Sequence, residues 1–193
     1  MFDRIIHEIE ICLEYDATLA ALALALTIPD AFSRIEYRNR KQEKRYPDWI
    51  DNYAPGIINK LNEVTIPIKN KTGRYKKLSV PSDGKIIYHI RNTLFHESTT
   101  KLTSKGAISH ISLKDDGKSK YGLYVHAISS SVINNDEQNA KINYRISIRG
   151  LIDVLIESAK KYYEENVDKM EAYEKDWTIP ESPHCLNIGE IDT

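Results

Sequence analysis

Eight consecutive apolar residues, Leu19 to Leu26, sit inside a run from Ala17 to about Ile28 that offers water no polar face. A helix of that kind is stable in a water-soluble chain only when neighbouring elements cover it all round, so it belongs at the centre of a helical domain. A membrane span needs roughly 20 such residues, and this run is too short for one. Its alanines permit close helix packing. Asp16 is the expected N-cap, and Pro29, which disfavours α geometry at Ile28, is expected to end the helix there.

The flanking periodicity supplies the covering elements. Phe2, Ile5, Ile6, Ile9, Cys12 and Leu13 recur at helical spacing and predict an amphipathic helix over residues 3 to 14. Residues 30 to 47 are polar and basic, and Asp48 to Tyr53 reads as a short helix with an aromatic face. Pro55-Gly56 interrupts it, a further short helix is expected around Ile57 to Asn62, and Pro67 with Lys69 to Lys77 argues for an irregular loop. Ser82 is placed to cap a helix carrying Ile86, Ile87, Ile90, Leu94 and Phe95, which is expected to end near Ser98.

The period then changes from helical to alternating. Ala107 to Leu113 and Tyr121 to Ser129 are rich in β-formers and flank Asp115-Asp116-Gly117-Lys118, a tight-turn signal, so they are expected to pair as an antiparallel hairpin. Ile142, Tyr144 and Ile146 predict a third strand. Ser147 is placed to cap a last helix with the stripe Ile148, Leu151, Ile152, Leu155, Ala159, Tyr162 and Tyr163. The fold class expected is therefore mainly α, a helical bundle with a small antiparallel hairpin or three-stranded sheet inserted at about 106–146 before the C-terminal helix. Residues 1–173 form one domain and 174–193 an acidic tail.

A length of 193 residues suits one domain, and 41% apolar with 28% charged residues is ordinary globular usage. Asp3, Glu8, Glu10 and Glu14 stand where an export signal would need positive charge, so the expected compartment is the cytoplasm. Cys12 and Cys185 occupy neither a Cys-x-x-Cys nor a Cys/His ligand spacing, which argues against a structural disulfide or zinc site. The net charge is only −1, but residues 151 to 193 hold 11 acids against 4 bases and leave the first 150 residues at +6. Arg34 to Arg45 contains six bases and two acids, and Lys69 to Lys77 five bases and no acid. Each run reads either as phosphate contacts or as a solvated face.

The segment with chemical potential is Arg91-Asn92-Thr93-Leu94-Phe95-His96. Histidine titrates at about 6.5 and serves as acid or base near neutrality. Arginine stays charged and grips phosphate oxygens through paired hydrogen bonds. Cleavage of RNA without a metal needs those two functions: proton transfer at the ribose 2′-hydroxyl and the departing 5′-oxygen, and a cation on the phosphate. The alternative is that Arg91 is a surface residue paired with Glu97 or the acidic C-terminal helix, and His96 a helix-end residue interacting with the dipole. Asn92 and His96, four apart, share a helix face, and His89 lies two turns before His96. Tyr88 is placed to stack on a base or to pack in the bundle. Arg74, Lys76 and Lys77 of the second basic run are candidate phosphate contacts.

Other chemistries lack their motifs. His96-Glu97 has no second histidine at metalloprotease spacing, and there is no phosphate-cradling glycine loop and no Gly-x-Ser-x-Gly elbow. No cofactor is called for.

The Arg-Asn-x-x-x-His pattern near a helix end resembles the Arg-polar-x-x-x-His signature of HEPN domains, α-helical nucleic-acid-associated modules of bacterial toxins and antiviral systems. Ala20 to Asp30 and Arg45 to Asp51 look like the opening of a group of bacterial HEPN-like proteins, in which a helix ending in Arg-x-x-x-x-His-Glu is followed by strands and a closing helix. Similar sequences often carry glycine where this chain has Ser98. The resemblance implies a HEPN-like fold over 1–173 and a homodimer in which Arg91 and His96 of both chains form one metal-independent endoribonuclease site, supported by Asn92. It also implies RNA as the partner, a role as toxin or phage-defence effector, and a cognate antitoxin as a further candidate partner. Some members of the wider family bind without cutting, which leaves a non-catalytic RNA- or protein-binding module as the alternative.

Overall fold

The first apolar stripe folds as α1 (Phe2–Glu14) and buries Phe2, Ile6 and Ile9. The computed structural model describes residues 2–54, 68–69, 75–76, 81–95, 101–104, 107–115, 128–131 and 140–176. The expected short helix at Ile57 to Asn62 and the tail after 176 lie outside them. After a corner at Asp16, whose φ is 54°, α2 (Thr18–Ala25) runs through the middle, with Ala21, Leu22 and Ala25 fully buried.

Two local expectations about this central segment are corrected. Asp16 does not cap α2: the N-cap is Ala17, without a side-chain bond, and the Asp16 carboxylate instead accepts from Arg149 Nη2 at 3.0 Å. Pro29 does not stop the chain's helical course either. It sits in the first turn of α3 (Ile28–Glu36), where no intrahelical N–H is needed and a fixed φ is already helical. The break falls at Leu26 and Thr27. Thr18–Glu36 is, by length and composition only, apolar enough to cross a membrane, but 56% of its window is buried inside the protein, as the core of a bundle requires.

The next helix, α4 (Gln42–Tyr53), starts six residues earlier than Asp48 and accommodates a buried Pro47 in its interior. A pair of two-residue strands, β1 (Ile68–Lys69) and β2 (Tyr75–Lys76), follows in antiparallel register, Ile68 opposite Lys76. This corrects the expectation of a wholly irregular loop there. α5 (Asp83–Phe95) begins as expected, with Ser82 Oγ accepting from Lys85 N at 3.4 Å.

The sheet departs most from expectation. Its strands β3 (Lys101–Ser104), β4 (Ala107–Lys114), β5 (Ile128–Ser131) and β6 (Ala140–Ser147) lie in the order β3-β4-β6-β5. β4 pairs antiparallel with β3 and parallel with β6, so both its edges are occupied and it cannot form the expected hairpin with residues 121 to 129. The sheet is thus mixed rather than antiparallel, has four strands rather than three, and begins at Lys101 rather than 106. The parallel register sets Ile111 opposite Tyr144 and Leu113 opposite Ile146, which turns those four apolar side chains to one face, the face packed into the core.

Ser147 caps α6 (Ile148–Glu165), accepting from Gly150 N at 3.2 Å. The expected stripe is buried, from Ile148 through Leu151, Ile152, Leu155 and Ala159 to Tyr162. Each full burial of a large apolar side chain stabilises by about 1.5–3 kcal/mol. A break at Asn166 then starts a separate helix, α7 (Val167–Asp176), which extends past Tyr173, where a tail was expected. The bundle, mainly helical among the described residues, packs α2 against α1 and α6, α3 against α4 and α6, and α4 against α5. Its centre is aromatic: Tyr162 lies 5.2 Å from Phe32, 5.7 Å from Trp49 and 4.8 Å from Tyr53, ring centroid to centroid.

Candidate functional site

Two contacts fix how α5 lies on α4. Gly84 lets the helix start against α4's backbone, because a Cβ there would stand 2.2 Å from the Pro47 carbonyl oxygen. Its N–H donates to Asp51 Oδ1 at 2.7 Å. One turn further on, the Tyr88 ring lies 5.4 Å from that of Tyr46. Gly84 beside Asp51 and Tyr88 beside Tyr46 make the two helices antiparallel, so the Arg91 end of α5 runs toward the N-terminal turn of α4.

Arg91 is half-buried on the penultimate turn. Its Nη1 donates to Asn92 Oδ1 at 3.0 Å, and its guanidinium carbon lies 5.5 Å from the centroid of the Phe95 ring. No carboxylate among the described residues pairs with it. Its charge reaches the Tyr46 phenol. Burial pushes that phenol far above its ordinary value and Arg91 opposes the shift, while Asp30 and Tyr88 reinforce it. The Tyr46 hydroxyl donates to the Leu26 carbonyl at 3.0 Å, which ties the floor beneath Arg91 to the central helices. A guanidinium has five N–H donors, and Asn92 engages one. The remaining fork is oriented by an amide, flanked by an aromatic ring and without a carboxylate partner among the described residues, an arrangement suited to a phosphate.

The other proposed residues divide. Tyr88 is half-buried against Tyr46, the packing alternative of the two open in the sequence. His89 turns to a different side of α5, where with Ile90, Thr93 and Leu94 it faces Ile111, Ser112 and Leu113 of β4 across a cleft of about 540 Å³. The helix therefore brings Arg91 and Asn92 together and sets Arg91 on the side away from His89. Lys76 lies in β2, while Arg74, Lys77 and His96 lie outside the described residues. Phe95 was missed as a site residue although its i,i+4 spacing from Arg91 was visible. Tyr46 carried no comparable local signal. Among the described residues no group of three His, Cys, Asp or Glu could hold a metal ion.

No family model matches the chain, and neither a curated protein nor a solved structure is significantly similar to it.

Proposed function

We propose that the chain is a HEPN-type endoribonuclease that cleaves RNA without a metal and acts as a homodimer, as a toxin or phage-defence effector. The observation that carries this reading is Arg91: a guanidinium fixed by Asn92 and Phe95, without a carboxylate partner among the described residues, on the helix whose sequence continues directly into His96. Its fork is held by an uncharged amide.

In the reaction, His96 takes the proton of a ribose 2′-hydroxyl and the oxygen attacks the adjacent phosphorus. The bond to the 5′-oxygen breaks, that oxygen receives a proton from a second imidazole, and a 2′,3′-cyclic phosphate remains. Arg91 holds the non-bridging oxygens as charge builds on them, and Asn92 keeps the guanidinium in place. The second imidazole is His96 of the other copy, because a two-fold contact sets one patch against itself.

The test is cleavage of an end-labelled RNA by pure protein. His96→Ala and Arg91→Ala are each expected to slow cleavage by about 10²-fold or more, with cyclic phosphate ends on the product and full activity in EDTA. Wild type that binds RNA but never cuts it would establish the non-catalytic module instead, and loss of cleavage on chelation would overturn the metal-independent mechanism.

A further inference from the structure

The basic run at the α3–α4 corner splits into two classes of side chain. Arg34 and Arg45 both pair with Asp30, at 3.5 and 2.9 Å, and Arg40 pairs with Asp48 while lying 4.7 Å over the Tyr37 ring. These three are matched to acids within the bundle. Arg38, Lys41 and Lys44 are exposed and have no acidic partner among the described residues. Glu43 is the one carboxylate on the same turn that is not already engaged elsewhere.

Helix packing sets these unmatched bases near Arg91. Because α4 and α5 are antiparallel, with Tyr88 beside Tyr46, the three residues from Tyr88 to Arg91 advance about 4.5 Å toward the turn that carries Lys41 and Lys44. Arg91 is also within electrostatic reach of Tyr46 in the second turn of α4, whose exposed face carries Lys44. The unmatched cations of the corner and the unmatched cation of the candidate site thus belong to one end of the α4–α5 pair.

We infer that Arg38, Lys41 and Lys44 form a phosphate track that holds the backbone of a single-stranded RNA as it leads to or from Arg91. The inference rests on RNA being the substrate. The ligand class follows from the chemistry: separate, flexible cations spaced along a corner fit a repeating anion. Its contribution is sequence-independent and sensitive to salt.

The experiment is anisotropy of a labelled single-stranded RNA titrated with full-length protein over a range of salt. Each lost phosphate contact on a single strand lowers the slope of log K against log salt by about 0.7. The triple variant Arg38→Gln/Lys41→Gln/Lys44→Gln is expected to reduce that slope by about 2 and to weaken binding about tenfold or more at low salt. Arg40→Gln, which removes an acid-matched base, should leave the slope within about 0.3 of wild type. All four positions are exposed, so folding should persist, and a matching thermal midpoint checks it. Lys44→Glu alone should weaken binding more than Lys44→Gln, which keeps the test open if the triple variant misfolds. An unchanged slope in the triple variant overturns the track even where wild type still cleaves RNA. A lowered slope with no cleavage by wild type keeps the track and removes the nuclease. Wild type that ignores RNA and binds phosphatidylserine vesicles through these bases also overturns it.

Discussion

A methyl group added at Gly84 would meet the Pro47 carbonyl oxygen at 2.2 Å and the Pro47 Cα at 2.7 Å. Those are backbone atoms of a helix and cannot swing aside as a side-chain tip would. Helix propensity favours alanine over glycine by about 1 kcal/mol, but overpacking typically costs about 1–3 kcal/mol, and a rigid neighbour puts this site at the upper end. Gly84→Ala is therefore expected to lower the denaturant midpoint, and to weaken the proposed RNA cleavage as well, since it levers α5 and Arg91 away from α4. A midpoint equal to or above wild type would show that the α4–α5 contact yields easily. At this scale the sequence was legible wherever the signal is local. Ser82 and Ser147 cap their helices because each hydroxyl needs only the N–H three residues on. Asp16 has the same credentials, yet its carboxylate binds Arg149, 133 positions away, and no short-range rule reveals such a partner. The Arg91–Asn92 bond is between neighbours, but adjacent residues on a helix do not ordinarily face each other, and the supporting role of Asn92 came only from the family resemblance.

Glu36 joins three helices, accepting from Tyr162 on α6 and from Lys169 on α7, each at 2.8 Å. Burial alone would push its carboxyl up, but hydrogen bonds from Lys169, Tyr162 and Tyr53, with the Lys169 charge, outweigh that and hold it below its ordinary 4.5. The same carboxylate, after burial, helps push the Tyr53 phenol up to about 12. The folded-state value for Glu36 lies below the unfolded one, so protons bind the unfolded chain more readily. Its stabilising contribution is complete above 4.5 and is lost as the pH falls through the lower folded-state value. Thermal midpoints followed from neutral pH to below 4.5 should accordingly fall more steeply for wild type than for Glu36→Gln, which cannot titrate. Parallel acid limbs would mean that α3, α6 and α7 are held together by packing alone. Helices were readable because a 3.6-residue period is written into each segment. The misread boundaries are at Pro29 and Pro47, whose effect depends on where in a helix they fall. Sheet order was not readable. The parallel pairing of β4 with β6 joins strands that are not consecutive in sequence, β5 lying between them, and the Asp116-Gly117 signal pointed to a hairpin that the occupied edges of β4 do not allow.

For the molecule as a whole, the role proposed for His96 sets the assembly that the proposed reaction requires. One imidazole that has just taken the 2′-hydroxyl proton is an acid, but it stands on the attacking side of phosphorus, whereas the 5′-oxygen leaves on the opposite side. Two imidazoles in place serve both sides at once, and the proposed dimer supplies them. Monomer surface and charge distribution leave this assembly unwritten, since the +6 balance of the first 150 residues is compatible with one chain or two. Dilution separates the alternatives. If the site is built from two chains, turnover per chain should decline with concentration in step with the dimer fraction measured by sedimentation. An excess of about tenfold His96→Ala chain should likewise suppress wild-type cleavage by drawing active chains into mixed pairs. Turnover that stays constant through the range where monomers dominate, with no suppression by the mutant chain, would place both proton transfers within a single chain and leave Arg91 without a symmetry mate in the reaction.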